Sequence, residues 1–196
     1  MIDISKLKEQ NEIRWQNAKI NENLVNAVGV VAARLTSNVA MARYKAVESV
    51  THVPWYIIAV IHEREASQSW HSQLAQGDPL GTVSRHVPAG RGPFKTWEAA
   101  AYDALINCAP HAARWMDWSP GGALTLLEEY NGLGYASRNI SSPYVWASTD
   151  QYLTGKFISD GHFDAWAIDH QLGCAALLKH MQIEHKDIFS VEKQAI

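Results

Sequence analysis

Residues 53–67, VPWYIIAVIHEREAS, run through nine positions without a charge and then bring Glu63, Arg64 and Glu65 together. In a helix, Ile58, Ile61 and Glu65 fall at i, i+3 and i+7 on one face, while Glu63 points to the other side with Tyr56 and Val60. If the Ile58–Ile61 stripe faces a core, the Glu65 carboxyl sits at its edge. Partial desolvation there disfavours the charged form and raises the pKa. A carboxyl group that stays protonated near neutral pH is what a general acid requires. The same three residues also suit a helix end that has reached water, with Arg64 offsetting the two carboxylates. The segment by itself leaves both readings open.

Metal chemistry is not expected. His62-Glu63 begins like HExxH, but position 66 is alanine, so the two-histidine clamp on one helix face is absent. Cys108 and Cys174 show neither CxxC nor another metal-ligand spacing, and are expected to be small buried residues. No cofactor is expected. The 17 Lys and Arg residues are scattered on a chain of net charge -3, without the basic stripe that nucleic-acid binding calls for. The N-terminus is polar and charged, unlike a signal peptide. No apolar run approaches the ~18 residues of a membrane span. Synthesis in a cytosol is therefore expected.

The elements that must position these residues read as helices. Residues 5 to about 70 are helical in pattern, with core stripes expected at Leu24, Val28, Val31 and Ala32, then at Val39, Ala42, Ala46 and Val47. Pro54 suits the first position of the next helix. Residues 72–95 carry Gly77, Pro79, Gly81, Pro88, Gly90, Gly92 and Pro93, which predict a short hairpin or an ordered loop. Thr96 is a predicted N-cap for residues 97–108, with Pro110 ending that helix. A further helix follows WSPGG and stops at Gly132 and Gly134. Residues 135–163 are aromatic and non-helical in pattern. Residues 164–182 are a predicted closing helix, and the tail beyond Glu184 is expected to be loose. With 47% hydrophobic residues and no linker, the 196 residues predict a single mainly α domain. The apolar stripes in residues 22–47 predict that residues 1–45 pack on the rest of the chain as a helical extension.

The segment VPWYIIAVIHEREAS resembles the catalytic-helix motif of soluble lytic transglycosylases and goose-type lysozymes. EEYNGLGY, residues 128–135, resembles the Tyr-Asn-Gly motif of the same superfamily, which lines the cleft beside the acid. The order of IHEREAS, GDPLGTVSRHVPAGRGPF, TWEAAAYDAL, YNGLGY and SPYVWASTDQYLTGKFISDGHFD is similar to that of phage-type endolysins. The resemblance covers roughly residues 50–182. Two departures stand out: Ala66 intervenes before Ser67, and Glu129 stands where alanine is common.

The resemblance implies a lysozyme-like helical domain with a small β-hairpin or Gly/Pro-rich lobe. It implies cleavage of the β-1,4 bond between N-acetylmuramic acid and N-acetylglucosamine, with Glu65 as the acid. Ser67, Asp78, Thr82, Tyr130 and Asn131 become candidate substrate-binding residues. Asp78 and Glu129 are candidates for a second carboxylate, which a hydrolase of this type needs and a transglycosylase does not. Asp78 also suits an ordinary turn. Tyr144 and Trp146, with Tyr135 and Tyr152, are aromatics able to stack on sugar rings. The implied partners are peptidoglycan strands and a separate membrane-perforating protein that releases a monomeric enzyme from the host cytoplasm to the wall. The competing expectation is a non-catalytic glycan-binding or phage structural protein.

Overall fold

A computed structural model describes residues 2–75 and 77–190. Among these the fold is mainly α, with eight α-helices and one two-stranded sheet. No single helix is long and apolar enough to cross a membrane. The chain divides into two compact units, one of residues 1–32 with 117–196, the other of residues 33–116.

The first unit contains α1 (Ile4–Asn17), most of α2 (Val25–Leu35), α6 (Pro120–Tyr130), α7 (Pro143–Trp146), β1 (Lys156–Ser159), β2 (His162–Asp164) and α8 (Cys174–Glu184). Asp3 caps α1 by accepting the Lys6 N–H. Helix α1 lies along α6. Their approach is so close that a Cβ on Gly121 would stand 2.6 Å from the Lys8 carbonyl oxygen. The Glu12 carboxylate accepts the Gly121 N–H at 2.7 Å, placing a negative charge at the N-terminus of α6. Inside the pair, the Asn11 amide donates to the Thr125 hydroxyl at 3.1 Å. Strands β1 and β2 pair antiparallel, with Phe157 opposite Phe163, and Tyr135 packs edge-on against Phe157.

The second unit holds α3 (Asn38–Thr51), α4 (Trp55–Ala66) and α5 (Trp97–Asn107). Ser37 caps α3 and Thr96 caps α5, the latter as the sequence predicts. Helix α3 packs on both α4 and α5. Its contact with α5 includes an Arg43–Glu98 ion pair of 2.6 Å. Helix α4 is buried on every side from Trp55 to His62. Each of its large apolar side chains contributes roughly 1.5–3 kcal/mol by leaving water.

Three expectations need correction. The buried face of α3 is Ala40, Tyr44, Val47 and Thr51; Ala42 and Ala46 are exposed, and Val39 is 74% exposed. Alanine and valine mark both faces of this helix alike, and Tyr44 decides between them by its larger area and its bonded hydroxyl. Of the two alternatives expected for residues 72–95, the described residues form the ordered loop, with one isolated bridge, Ser72 to Pro79, and a hairpin lies at 156–164. The closing helix begins at Cys174, not 164. The Asp164 carboxylate accepts the N–H groups of Trp166 and Ala167, and this local turn displaces the helix. The chain beyond Glu184 is anchored, not loose, as far as residue 190. Ile188 is fully buried, and Phe189 meets Trp15 edge-on at 5.0 Å. Residues 191–196 lie outside the described residues.

The Gly121 contact is testable. Gly121→Ala would ordinarily gain about 1 kcal/mol of helix propensity. Against the Lys8 carbonyl it is expected to cost roughly 1–3 kcal/mol instead. Urea unfolding of the two proteins reads the sign, and a gain would mean that α1 does not approach α6 this closely.

Candidate active site

Helix α4 ends in a hydrogen-bonded chain centred on His62, which is fully buried. Its Nε2 lies 3.0 Å from the Ser69 carbonyl oxygen, and its Nδ1 lies 3.1 Å from the Tyr44 hydroxyl. A carbonyl only accepts, so Nε2 carries the proton and Nδ1 accepts from Tyr44. The Tyr44 oxygen in turn accepts from the Gln68 amide at 3.0 Å. Trp70 and Trp97 flank the imidazole, each with its ring centroid 4.6 Å away. Burial pulls the His62 pKa down to about 4, so the ring is neutral. Both ring nitrogens are engaged, which removes His62 as a metal ligand.

This chain holds a turn that the backbone alone would resist. Ser67 and Gln68 follow α4 in the left-handed region, with φ of 49° and 59°. Two successive non-glycine residues there cost of order 1 kcal/mol or more each, and persist only when their surroundings impose them. Arg34 adds a second clamp. One of its guanidinium nitrogens donates to the Ser67 carbonyl at 3.0 Å and another to Glu63 at 2.7 Å.

The two glutamates therefore differ. Burial raises the pKa of Glu63, and the Arg34 guanidinium opposes this. Glu63 is half-buried and occupied in fastening the turn. Glu65 is half-buried too, in the last turn of α4. Its own carbonyl faces Gly77, where a Cβ would stand 3.4 Å away. Gly77 has φ of +69°, which glycine adopts without strain. The Gly/Pro-rich loop thus begins directly against the helix end that carries Glu65. The expected one-sided stripe is a correction: Tyr56 and Val60 are as much core as Ile58 and Ile61. The helix meets its surroundings end-on, and both glutamates sit where it leaves the core.

Asp78 follows Gly77 and is consumed by its own loop. Its carboxylate accepts the backbone N–H groups of Arg85 and His86, at 2.9 and 3.2 Å, and faces His86 Nδ1 at 3.0 Å. The His86 and Arg85 N–H groups hold its pKa below the usual carboxylate range. With three donors converging on it, Asp78 organises a turn, and the arrangement does not favour it as a second catalytic carboxylate. Thr82 is exposed, and its hydroxyl donates to the Pro79 carbonyl at 2.7 Å. The Ser67 side chain is exposed at the helix C-cap.

The other sequence-predicted residues belong to the first unit. Tyr130 ends α6 half-buried, and Asn131 is its exposed C-cap. Glu129 is half-buried, and burial raises its pKa. Tyr144 and Trp146 correct the expectation of sugar stacking. Both are buried, Trp146 completely, so neither ring offers a face. Tyr135 and Tyr152 are buried as well, and Trp166 is 85% exposed. Sequence reasoning passed over Trp166 because it fell in a predicted helix.

It also passed over Glu128, which is 1% exposed on the inner side of α6. Burial pushes its pKa up to about 7, against the opposing pull of Arg14, Asn11 and Trp146. No sequence signal separates Glu128 from Glu129; only the rotation of α6 does. Arg34 and His86 were missed for the same reason, since their partners are 29 and 8 residues away.

Glu128 predicts a pH dependence of stability. Its folded pKa, about 7, lies above the ordinary 4.5. Between these values the folded chain holds a proton that the unfolded chain has lost. Stability from this group is therefore full below 4.5 and falls as pH rises through about 7, by about 3 kcal/mol at most. Glu128→Gln is expected to flatten this slope and to gain on the wild type at alkaline pH. Urea midpoints of both proteins at about pH 5 and about pH 8 test it; parallel changes would mean that Glu128 does not titrate in this window.

Compared with protein-family models, curated proteins and solved structures, the chain matches none.

Proposed function

We propose that this chain is a peptidoglycan-cleaving glycosidase with a lysozyme-like mode of action and Glu65 as its general acid. The observation that carries this reading is the placement of Glu65, half-buried in the last turn of α4, directly before a strained turn and against the start of a preorganised loop. A carboxyl group so placed can hold a proton and deliver it at a defined position. The motif resemblance at residues 53–67 and 128–135 supplies the substrate class.

In this mechanism Glu65 donates its proton to the glycosidic oxygen as the bond to muramic C1 breaks. The sugar cation is then captured by water, or by the muramic 6-hydroxyl to give an anhydro end. Glu65, now a carboxylate, takes the proton from that nucleophile. The commitment of Asp78 to its own loop favours the route that needs one carboxylate. Access to the wall would depend on a separate membrane-perforating protein, and the enzyme would act there as a monomer.

The test is digestion of purified peptidoglycan by the wild type and by Glu65→Gln. Soluble products are reduced with borohydride and weighed by mass spectrometry. Loss of roughly 10²–10⁴-fold in rate is expected for the variant. Anhydro ends from the wild type would identify a lytic transglycosylase and reducible muramic ends a hydrolase. Equal activity from Glu65→Gln would overturn the assignment.

A further inference from the structure

The loop that follows Gly77 encloses an open pocket of about 520 Å³, lined by Asp78, Pro79, Thr82, Val83, Ser84 and Arg85. Its walls are fixed in advance. Asp78 gathers the Arg85 and His86 N–H groups. The Gln73 amide donates to the carbonyls of Pro79 and Thr82, at 3.3 and 2.9 Å. Ser84 accepts the Arg91 N–H and donates to the Pro88 carbonyl. Arg91 is itself held by Asp103, at 2.7 Å from Nε. A ligand entering such a pocket would not have to order it, which removes a common cost of binding.

The charge left over is positive. Residues 77–95 contain Arg85, Arg91 and Lys95 but only one acid, Asp78, on a chain whose net charge is -3. Arg91 is paired with Asp103, and the Asp78 carboxylate is buried and turned into its own loop, so the charges left facing solvent are those of Arg85 and Lys95. The guanidinium of Arg85 makes no hydrogen bond or ion pair among the described residues, and the residue is exposed at the lip of the pocket. Beside it, Val83 and Pro79 supply an apolar wall, with Val83 half exposed. A planar fork of guanidinium donors next to aliphatic surface suits a carboxylate on a short aliphatic chain.

We infer that this pocket is a subsite for the carboxylate-bearing peptide stem of the muramyl sugar, with Arg85 as its anion anchor. The inference rests on the glycosidase reading and names the part of the substrate that the Gly/Pro-rich loop grips. Within that substrate the glycan backbone is neutral, and the free carboxylates belong to the stems. Arg85 is thus a specificity residue, and the loop selects glycan whose stems carry free carboxylates.

The experiment measures initial rates on purified peptidoglycan and on the same peptidoglycan with its stem carboxylates converted to primary amides by a carbodiimide and ammonia. Wild type, Arg85→Ala and Arg85→Lys are compared. The wild type is expected to favour the substrate with free stem carboxylates by about tenfold in KM, as one charge-assisted contact would give, with kcat little changed. Arg85→Ala should bring that preference close to one, and Arg85→Lys should restore part of it. A wild type that treats both substrates alike, or an Arg85→Ala that keeps the full preference, overturns the inference while leaving the glycosidase reading intact. A wild type that releases sugar from neither substrate overturns both.

Discussion

The second unit depends on a single buried imidazole. His62 joins three segments that are remote in sequence: α3 through Tyr44, the turn after α4 through Ser69, and α5 through the indole of Trp97. Both ring nitrogens of His62, the Tyr44 hydroxyl and the Gln68 amide nitrogen all have partners, so this polar chain lies in the core bonded from end to end. Removing one member would leave its neighbour buried and unsatisfied, at about 1–3 kcal/mol. Burial keeps the ring neutral, which is the state this pattern of one donor and one acceptor requires. The left-handed pair Ser67–Gln68 is then imposed on the backbone, and with it the position of Glu65.

The loop from Gly77 to Phe94 works by a similar economy. It has no regular ladder, so its backbone groups must find other partners. They find them in three side chains, Gln73, Asp78 and Ser84, each of which bonds more than one backbone group. Turning Asp78 inward to serve the backbone leaves the loop's outer side positive, with Arg85 facing solvent. The structural role of one residue thereby sets the electrostatics that a ligand would meet.

In the first unit the corresponding constraint is the close contact of α1 with α6. Glycine at 121 lets the backbones approach, Glu12 meets the N-terminus of α6, and Asn11 and Thr125 satisfy each other inside. The extension that matches no recognisable motif is therefore part of the support for the helix ending in Tyr130 and Asn131. The same contact buries Glu128. Desolvation there outweighs the nearby Arg14, which is why the group holds its proton so far above the ordinary carboxylate range.

The helical character of the chain, its cap at Thr96 and the break at residues 72–95 are legible in the sequence, because capping and punctuation act over a few residues. So is the concentration of charge after a long apolar run in α4. What each carboxylate does is not legible there. Glu63 and Glu65 look alike in one dimension, as do Glu128 and Glu129, and so do the exposed and buried valines of α2 and α3. Their roles follow from a partner 29 residues away, as for Glu63, or from a helix rotation that no local pattern specifies. The aromatics of residues 135–152 show this most plainly. Composition suggested a sugar-binding surface, and packing made Tyr144 and Trp146 core, because a segment with little regular structure has few other large apolar groups to bury. Sequence determined the chemistry available to this protein; tertiary structure decided which groups face inward, since burial and pairing are properties of neighbours in space.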